Sequence, residues 1–197
     1  MNPNLTEILF LLDKSGSMGS IQNAALEGFN QFIKDQARQE GTCLMTLALF
    51  SDKYEEQYAS IPLQEAVPLD FLTYFPQGQT ALHDSIVRGI NGLVTRISQR
   101  TEQGLPAKVI VVILTDGEEN GSKSYGANQA RLAIELRRKY SNWEFLFLGA
   151  NQNACLTAKG LGMEEGTAIQ FTPDSQGIKR ALRQVSDDTT IIRQQGQ

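Results

Sequence analysis

At 197 residues the chain falls in the ~150–200-residue range expected of one domain with a substantial core, and its 41% hydrophobic and 20% charged residues are an ordinary globular balance. The net charge of −4 gives no electrostatic reason to expect nucleic acid or an anionic membrane, and no segment approaches the ~18 consecutive apolar residues of a membrane span. Cys43 and Cys155 are too few for a disulfide framework; each lies in an apolar stretch and reads as a buried free thiol, which suits a reducing compartment. Residues 1–6 lack the basic region of a secretion signal and the following apolar run ends at Asp13, so the expected location is cytoplasmic.

Strand and helix patterns alternate along the chain. Residues 7–13 carry the apolar run Ile8-Leu9-Phe10-Leu11-Leu12 and read as a buried strand. Residues 18–38 repeat apolar positions at helical spacing, with Ile21, Ala25, Phe29, Phe32 and Ile33 on one stripe. A second strand covers 43–50, Ser51-Asp52-Lys53 turns, and 54–63 forms an edge hairpin partner. The segment 64–79 has two prolines and little periodicity, so it reads as a loop with one helical turn near 68–72. A long helix over 81–100 aligns Leu82, Ile86, Ile90, Leu93 and Ile97. Strand 108–115 follows, then a helix over 126–140 with Leu132, Leu136 and Tyr140 aligned, a strand over 143–149, a short helix over 152–160 and a strand near 167–171. Thr172-Pro173 opens the last helix, with Pro at its first position and a stripe of Ile178, Ala181, Leu182, Val185, Thr189 and Ile192. This alternation predicts an α/β domain spanning 1–197, with a mainly parallel six-stranded sheet covered by helices on both faces and one antiparallel edge strand.

Three segments carry hard oxygen donors to the carboxyl ends of strands, where open α/β sheets place their ligands. Asp13-Lys14-Ser15-Gly16-Ser17 leaves the first strand, Gly78-Gln79-Thr80 precedes the second long helix, and Thr115-Asp116-Gly117 ends the strand over 108–115. In a doubly wound sheet those two strands are central neighbours, so Asp13 and Asp116 converge although far apart in sequence. Ser15 and Ser17 alternate along their loop and turn to one side, and Thr80 enters from another loop. Two carboxylates and three hydroxyls, with no thiolate or imidazole, suit Mg²⁺ or Mn²⁺ rather than Zn²⁺.

This constellation resembles the von Willebrand factor A domain family and its metal-ion-dependent adhesion site, whose pattern is Asp-x-Ser-x-Ser, a distant Thr and a distant Asp. The resemblance runs from the first strand to the last helix, with every site position filled by the family's residue type. It implies a strand order of 3-2-1-4-5-6 and Mg²⁺ ligated by Ser15, Ser17 and Thr80, with Asp13 and Asp116 acting directly or through water. It also implies a partner protein whose Glu or Asp completes the shell, and hence a recognition module rather than an enzyme. The compact size resembles intracellular bacterial or phage members of the family.

The alternative function is a hydrolase using the same Mg²⁺ on phosphoesters, but the sequence offers no clear base or nucleophile beside the metal. His83 is the only histidine and reads as a packing or surface residue; a role beside the metal is the lesser reading. Glu118-Glu119-Asn120 reads as a solvated loop or, alternatively, as a rim to the metal face. Tyr54, Tyr58 and Tyr74 lie near the edge hairpin and the 64–79 loop, where aromatic residues either cover the core or serve recognition. Asn151 reads as lining the metal face or capping the next helix. No phosphate-cradling glycine loop is present, so nucleotide binding is disfavoured.

Overall fold

A computed structural model describes residues 2–150, 153–164 and 166–195. It contains β1 (Asn2–Asp13), α1 (Gln22–Ala37), β2 (Thr42–Phe50), β3 (Tyr54–Pro62), α2 (Leu82–Ser98), β4 (Pro106–Thr115), α3 (Ala127–Ser141), β5 (Glu144–Ala150), α4 (Ala154–Gly160), β6 (Ala168–Phe171) and α5 (Ser175–Gln194). The strands form one sheet in the order β3-β2-β1-β4-β5-β6. β1 runs parallel to both β2 and β4, β5 is parallel to β4 and to β6, and β3 alone is antiparallel, at the edge beside β2. This is the three-layer α/β arrangement the sequence predicts.

The layers follow from the two-residue period of a strand. Ile8, Phe10 and Leu12 of β1 point to the face covered by α1 and α5, while Leu9 and Leu11 point to the face covered by α2, α3 and α4. With both faces buried, β1 and β4 become continuous apolar runs rather than alternating ones. Phe10 meets Phe29 and Phe32 of α1 edge-to-face, with ring centroids 5.0 and 5.3 Å apart. Each such pair adds about 0.5–1.5 kcal/mol beyond area burial.

Several expectations are corrected. The aligned residues Leu132, Leu136 and Tyr140 of α3 face outward, and the helix instead presents Ala130 and Ile134 to the sheet. Cys43 is buried as expected, but Cys155 is exposed on α4, whose inward residues are Ala154 and Ala158. α5 does not begin at Pro173. Asp174 caps it, its carboxylate accepting from Gln176 N and Gly177 N at 2.9 and 2.7 Å, and Pro173 precedes the cap. A 3-10 turn over Gly16–Ile21 comes before α1, where the sequence pattern suggested continuous α-helix from residue 18. The turn expected near 68–72 lies over 71–73, closed by the Tyr74 N–H donating to the Asp70 carbonyl at 2.9 Å, and a further 3-10 turn covers Leu63–Glu65. Asn151 lies outside the described residues.

Candidate metal centre

The topology carries Asp13 and Asp116 to adjacent strand ends, because β1 and β4 pair in parallel through Leu12 and Leu114. Asp13 is fully buried. Its Oδ1 accepts from Ser15 N at 2.6 Å and its Oδ2 from the Thr115 hydroxyl at 2.6 Å. These two bonds set the carboxylate at the root of the Asp-x-Ser-x-Ser loop. The Ser15 and Ser17 hydroxyl oxygens lie 3.1 Å apart, and the Ser17 hydroxyl donates to Asp116 Oδ1 at 2.6 Å. Four of the five expected residues therefore form one hydrogen-bonded chain.

Thr80 is brought in by backbone bonds from a different direction. Its N–H donates to Asn120 Oδ1 at 2.8 Å, and its carbonyl accepts from Asn120 N and Gly121 N, each at 3.0 Å. Gly117 shows where it ends up. A Cβ on that glycine would stand 3.1 Å from Thr80 Oγ1 and 3.4 Å from Ser17 Oγ. The missing side chain leaves a small space flanked by two hydroxyls, beside the Asp116 carboxylate. Gly78, at φ +83°, turns the Thr80 loop, and its carbonyl accepts from Gly16 N at 3.0 Å, so the first two loops are locked together.

Electrostatics fits a cation. Burial pushes the Asp13 carboxyl up to about 6, against the hydrogen bonds from Thr115 and Ser15, and the charge of Asp116 adds to the rise. Burial likewise raises Asp116, with the Ser17 bond opposing. Among the described residues, Asp13 has no lysine or arginine partner; the neighbouring Lys14 ion-pairs with Glu55. Two buried carboxylates side by side are costly unless a positive charge joins them. Among the described residues, no group of three or more Asp, Glu, His or Cys is placed to hold a metal ion. A site of two carboxylates and three hydroxyls does not require one.

Residues that the motif does not include hold this geometry. Tyr74 is fully buried in the core and donates its hydroxyl to the Asp13 carbonyl at 2.8 Å, so it braces the site from within rather than serving recognition at the surface. The Glu119 carboxylate gathers His83 N, Gly121 N, Ser122 N and the Ser122 hydroxyl at 2.7–2.9 Å. This stitches the loop after β4 to the start of α2. His83 packs against it with Nδ1 3.5 Å from Glu119 Oε2, off the Ser17–Asp116 chain. Thr115, Asn120 and Tyr74 are supports that sequence reading did not single out in this role. Only the position of Thr115 directly before Asp116 offers a signal.

No protein-family model matches the chain, and no curated protein sequence matches it. Solved structures do. Proximal thread matrix protein 1 from the mussel byssus, in a form with a zinc occupied MIDAS motif, is 18% identical over 94% of this chain and 46% of its own, with a TM-score of 0.62. A von Willebrand factor type A structure from Catenulispora acidiphila is 15% identical over 94% of this chain and 42% of its own, at 0.64. The manganese-loaded Plasmodium vivax TRAP protein is 18% identical over 92% of this chain and 73% of its own, at 0.63. The chain spans about half the length of the mussel protein. At these identities the likeness shows the fold: that of the von Willebrand factor A domain.

Proposed function

We propose that this chain is a metal-dependent protein-recognition module, one domain over 1–197. In this reading Asp13, Ser15, Ser17, Thr80 and Asp116 hold Mg²⁺ or Mn²⁺, and a Glu or Asp of a protein partner completes the shell. The observation that carries the reading is the meeting of Ser17, Thr80 and Asp116, from three separate loops, around the space that Gly117 leaves open.

Each residue has a physical task. Asp13 holds the Ser15 amide and the Thr115 hydroxyl, which fixes the direction of the Ser15–Ser17 loop. Asp116 orients the Ser17 hydroxyl. Asn120 and Gly121 fix the Thr80 backbone, and with it the Thr80 hydroxyl. A bound divalent ion would supply positive charge between the Asp13 and Asp116 carboxylates and a Lewis-acidic position for an external carboxylate. Metal-bearing structures with the same fold support the reading of a divalent metal, since one carries zinc at its MIDAS motif and another is manganese-loaded. No helix among the described residues is long and apolar enough to cross a membrane.

The test is affinity capture on immobilised chain in Mg²⁺ and in EDTA, with Asp13→Ala and Ser15→Ala as controls. The expected result is a protein partner retained only in Mg²⁺ and only by the unaltered chain. Equal retention in EDTA, or by both variants, contradicts the reading.

A further inference from the structure

The loop between β3 and α2 borders the candidate metal centre and is unusually apolar on its outside. Val67, Phe71, Leu72 and Phe75 are 68%, 56%, 91% and 59% exposed. Large side chains clustered in this way mark contact surfaces more often than isolated exposed residues do. Residues 71–80, Phe71-Leu72-Thr73-Tyr74-Phe75-Pro76-Gln77-Gly78-Gln79-Thr80, include no charged side chain.

This exposure is built, not slack. Asn30 of α1 clamps Leu69 with two bonds of 2.8 Å, one from its amide to the Leu69 carbonyl and one to its carbonyl oxygen from the Leu69 N–H. Asp70 Oδ1 accepts from Leu72 N, Thr73 N and the Thr73 hydroxyl at 2.8–3.0 Å, forming the turn that lifts Phe71 and Leu72 outward. Tyr74 is fastened at both ends, its carbonyl accepting from Gln22 Nε2 at 2.7 Å and its hydroxyl reaching Asp13. Gln77 N donates to the Lys14 carbonyl at 2.7 Å. The same bonds that set the Asp-x-Ser-x-Ser loop therefore hold the apolar loop beside it. Phe75 is three residues from Gly78, which touches Gly16, a chain reach of at most about 11 Å.

We propose that this loop is the apolar half of the recognition surface, and that its occupant is a partner-protein segment with apolar side chains within about four positions of the metal-seeking Glu or Asp. The inference rests on the metal-dependent reading above. An extended segment advances about 3.3 Å per residue, so four residues cover the span from the metal centre to the loop. Glu118, two residues after Asp116, is exposed and charged, unlike the 71–75 segment. Rigid apolar side chains that lose little entropy on contact are suited to act as hot spots.

The probe is a displayed library of random peptides, selected on the full chain in Mn²⁺ and eluted with EDTA. It is run in parallel on a Leu72→Ser, Phe75→Ser double variant. Both positions are exposed, so the variant is expected to keep its fold and its Mn²⁺ affinity, checked by circular dichroism and titration. The expected result is eluted peptides that combine Glu or Asp with Leu, Phe, Ile or Met within four positions. The variant is expected to select the acid without that flank, and to bind a wild-type-selected peptide at least about tenfold more weakly. Acidic peptides without an apolar flank on the unaltered chain, or the same flank selected by the variant, overturn the inference while leaving the metal reading intact. Failure to recover any acidic, EDTA-released peptide overturns both.

Discussion

At the scale of single residues, the proposed metal role of Asp13 is set against stability. In the metal-free protein its carboxyl is raised by burial to about 6, above the ordinary 3.8, so the folded state holds a proton that the unfolded state releases. Its contribution therefore becomes increasingly unfavourable as pH rises from about 4 through 6, and the full penalty is present at pH 7.5. Asp13→Asn removes the charge and keeps the shape. The amide oxygen can accept from Ser15 N, and the amide nitrogen can donate to the Thr115 oxygen, whose hydroxyl then turns to the Gly117 carbonyl 3.2 Å away. The expected outcome in EDTA at pH 7.5 is a variant more stable than the unaltered chain by about 1–3 kcal/mol, with the difference vanishing near pH 4, read by urea unfolding. The same variant is expected to lose metal binding. Tyr74→Phe removes the donor to the buried Asp13 carbonyl and should cost about 1–3 kcal/mol by the same measurement.

Among the elements, the loop after β4 is held by carboxylates that have no part in the donor set. Asp84 in the first turn of α2 accepts from the N–H groups of Lys123, Ser124 and Tyr125 at 2.7–3.1 Å. Burial works to raise its pKa, but these three bonds together with the charge of Arg88 outweigh it and the carboxyl lies below the ordinary value. Its stabilisation is present above the unfolded value of about 3.8 and is lost as pH falls through the lower folded one. Asp84→Ala should cost about 2 kcal/mol at pH 7, with the gap to the unaltered chain closing in acid, measured by thermal unfolding across pH 2–7. On the opposite face, Gln36 of α1 donates to the Ser186 carbonyl and hydroxyl and the Thr190 hydroxyl of α5, while accepting from the buried Arg193. Gln36→Ala removes these side-chain bonds while Arg193 keeps the Gln36 and Glu40 backbone carbonyls, and should cost about 1–3 kcal/mol.

The sequence made much of this legible, and the reasons differ by element. β1 and β4 were readable because burial on both faces forces unbroken apolar runs. The convergence of Asp13, Ser15, Ser17, Thr80 and Asp116 was readable because each lies on a short, marked segment at a strand end or helix start. α3 was misread because alignment at helical spacing does not say which side faces in; the sheet there accepts Ala130 and Ile134, and Leu132, Leu136 and Tyr140 are left outside. The bracing by Tyr74 and Glu119 was not legible, since such bonds join positions far apart in the chain and follow no local spacing.

For the molecule as a whole, the metal is expected to act as a folding ligand, because the donors converge only in the native state. Binding to the native state alone adds about 2.7 kcal/mol at a hundredfold excess over Kd. For a chain of this length that is a rise in Tm of about 5–10 °C in Mg²⁺ or Mn²⁺, reversed by EDTA and absent in Asp13→Ala. The most direct measurement is a calorimetric titration of Mn²⁺ into the unaltered chain, Asp13→Ala and Thr80→Ala. The result expected from this geometry is one saturable site, lost in Asp13→Ala and weakened at least about tenfold in Thr80→Ala. No saturable binding, or the same affinity in all three proteins, would contradict a metal centre built by these loops.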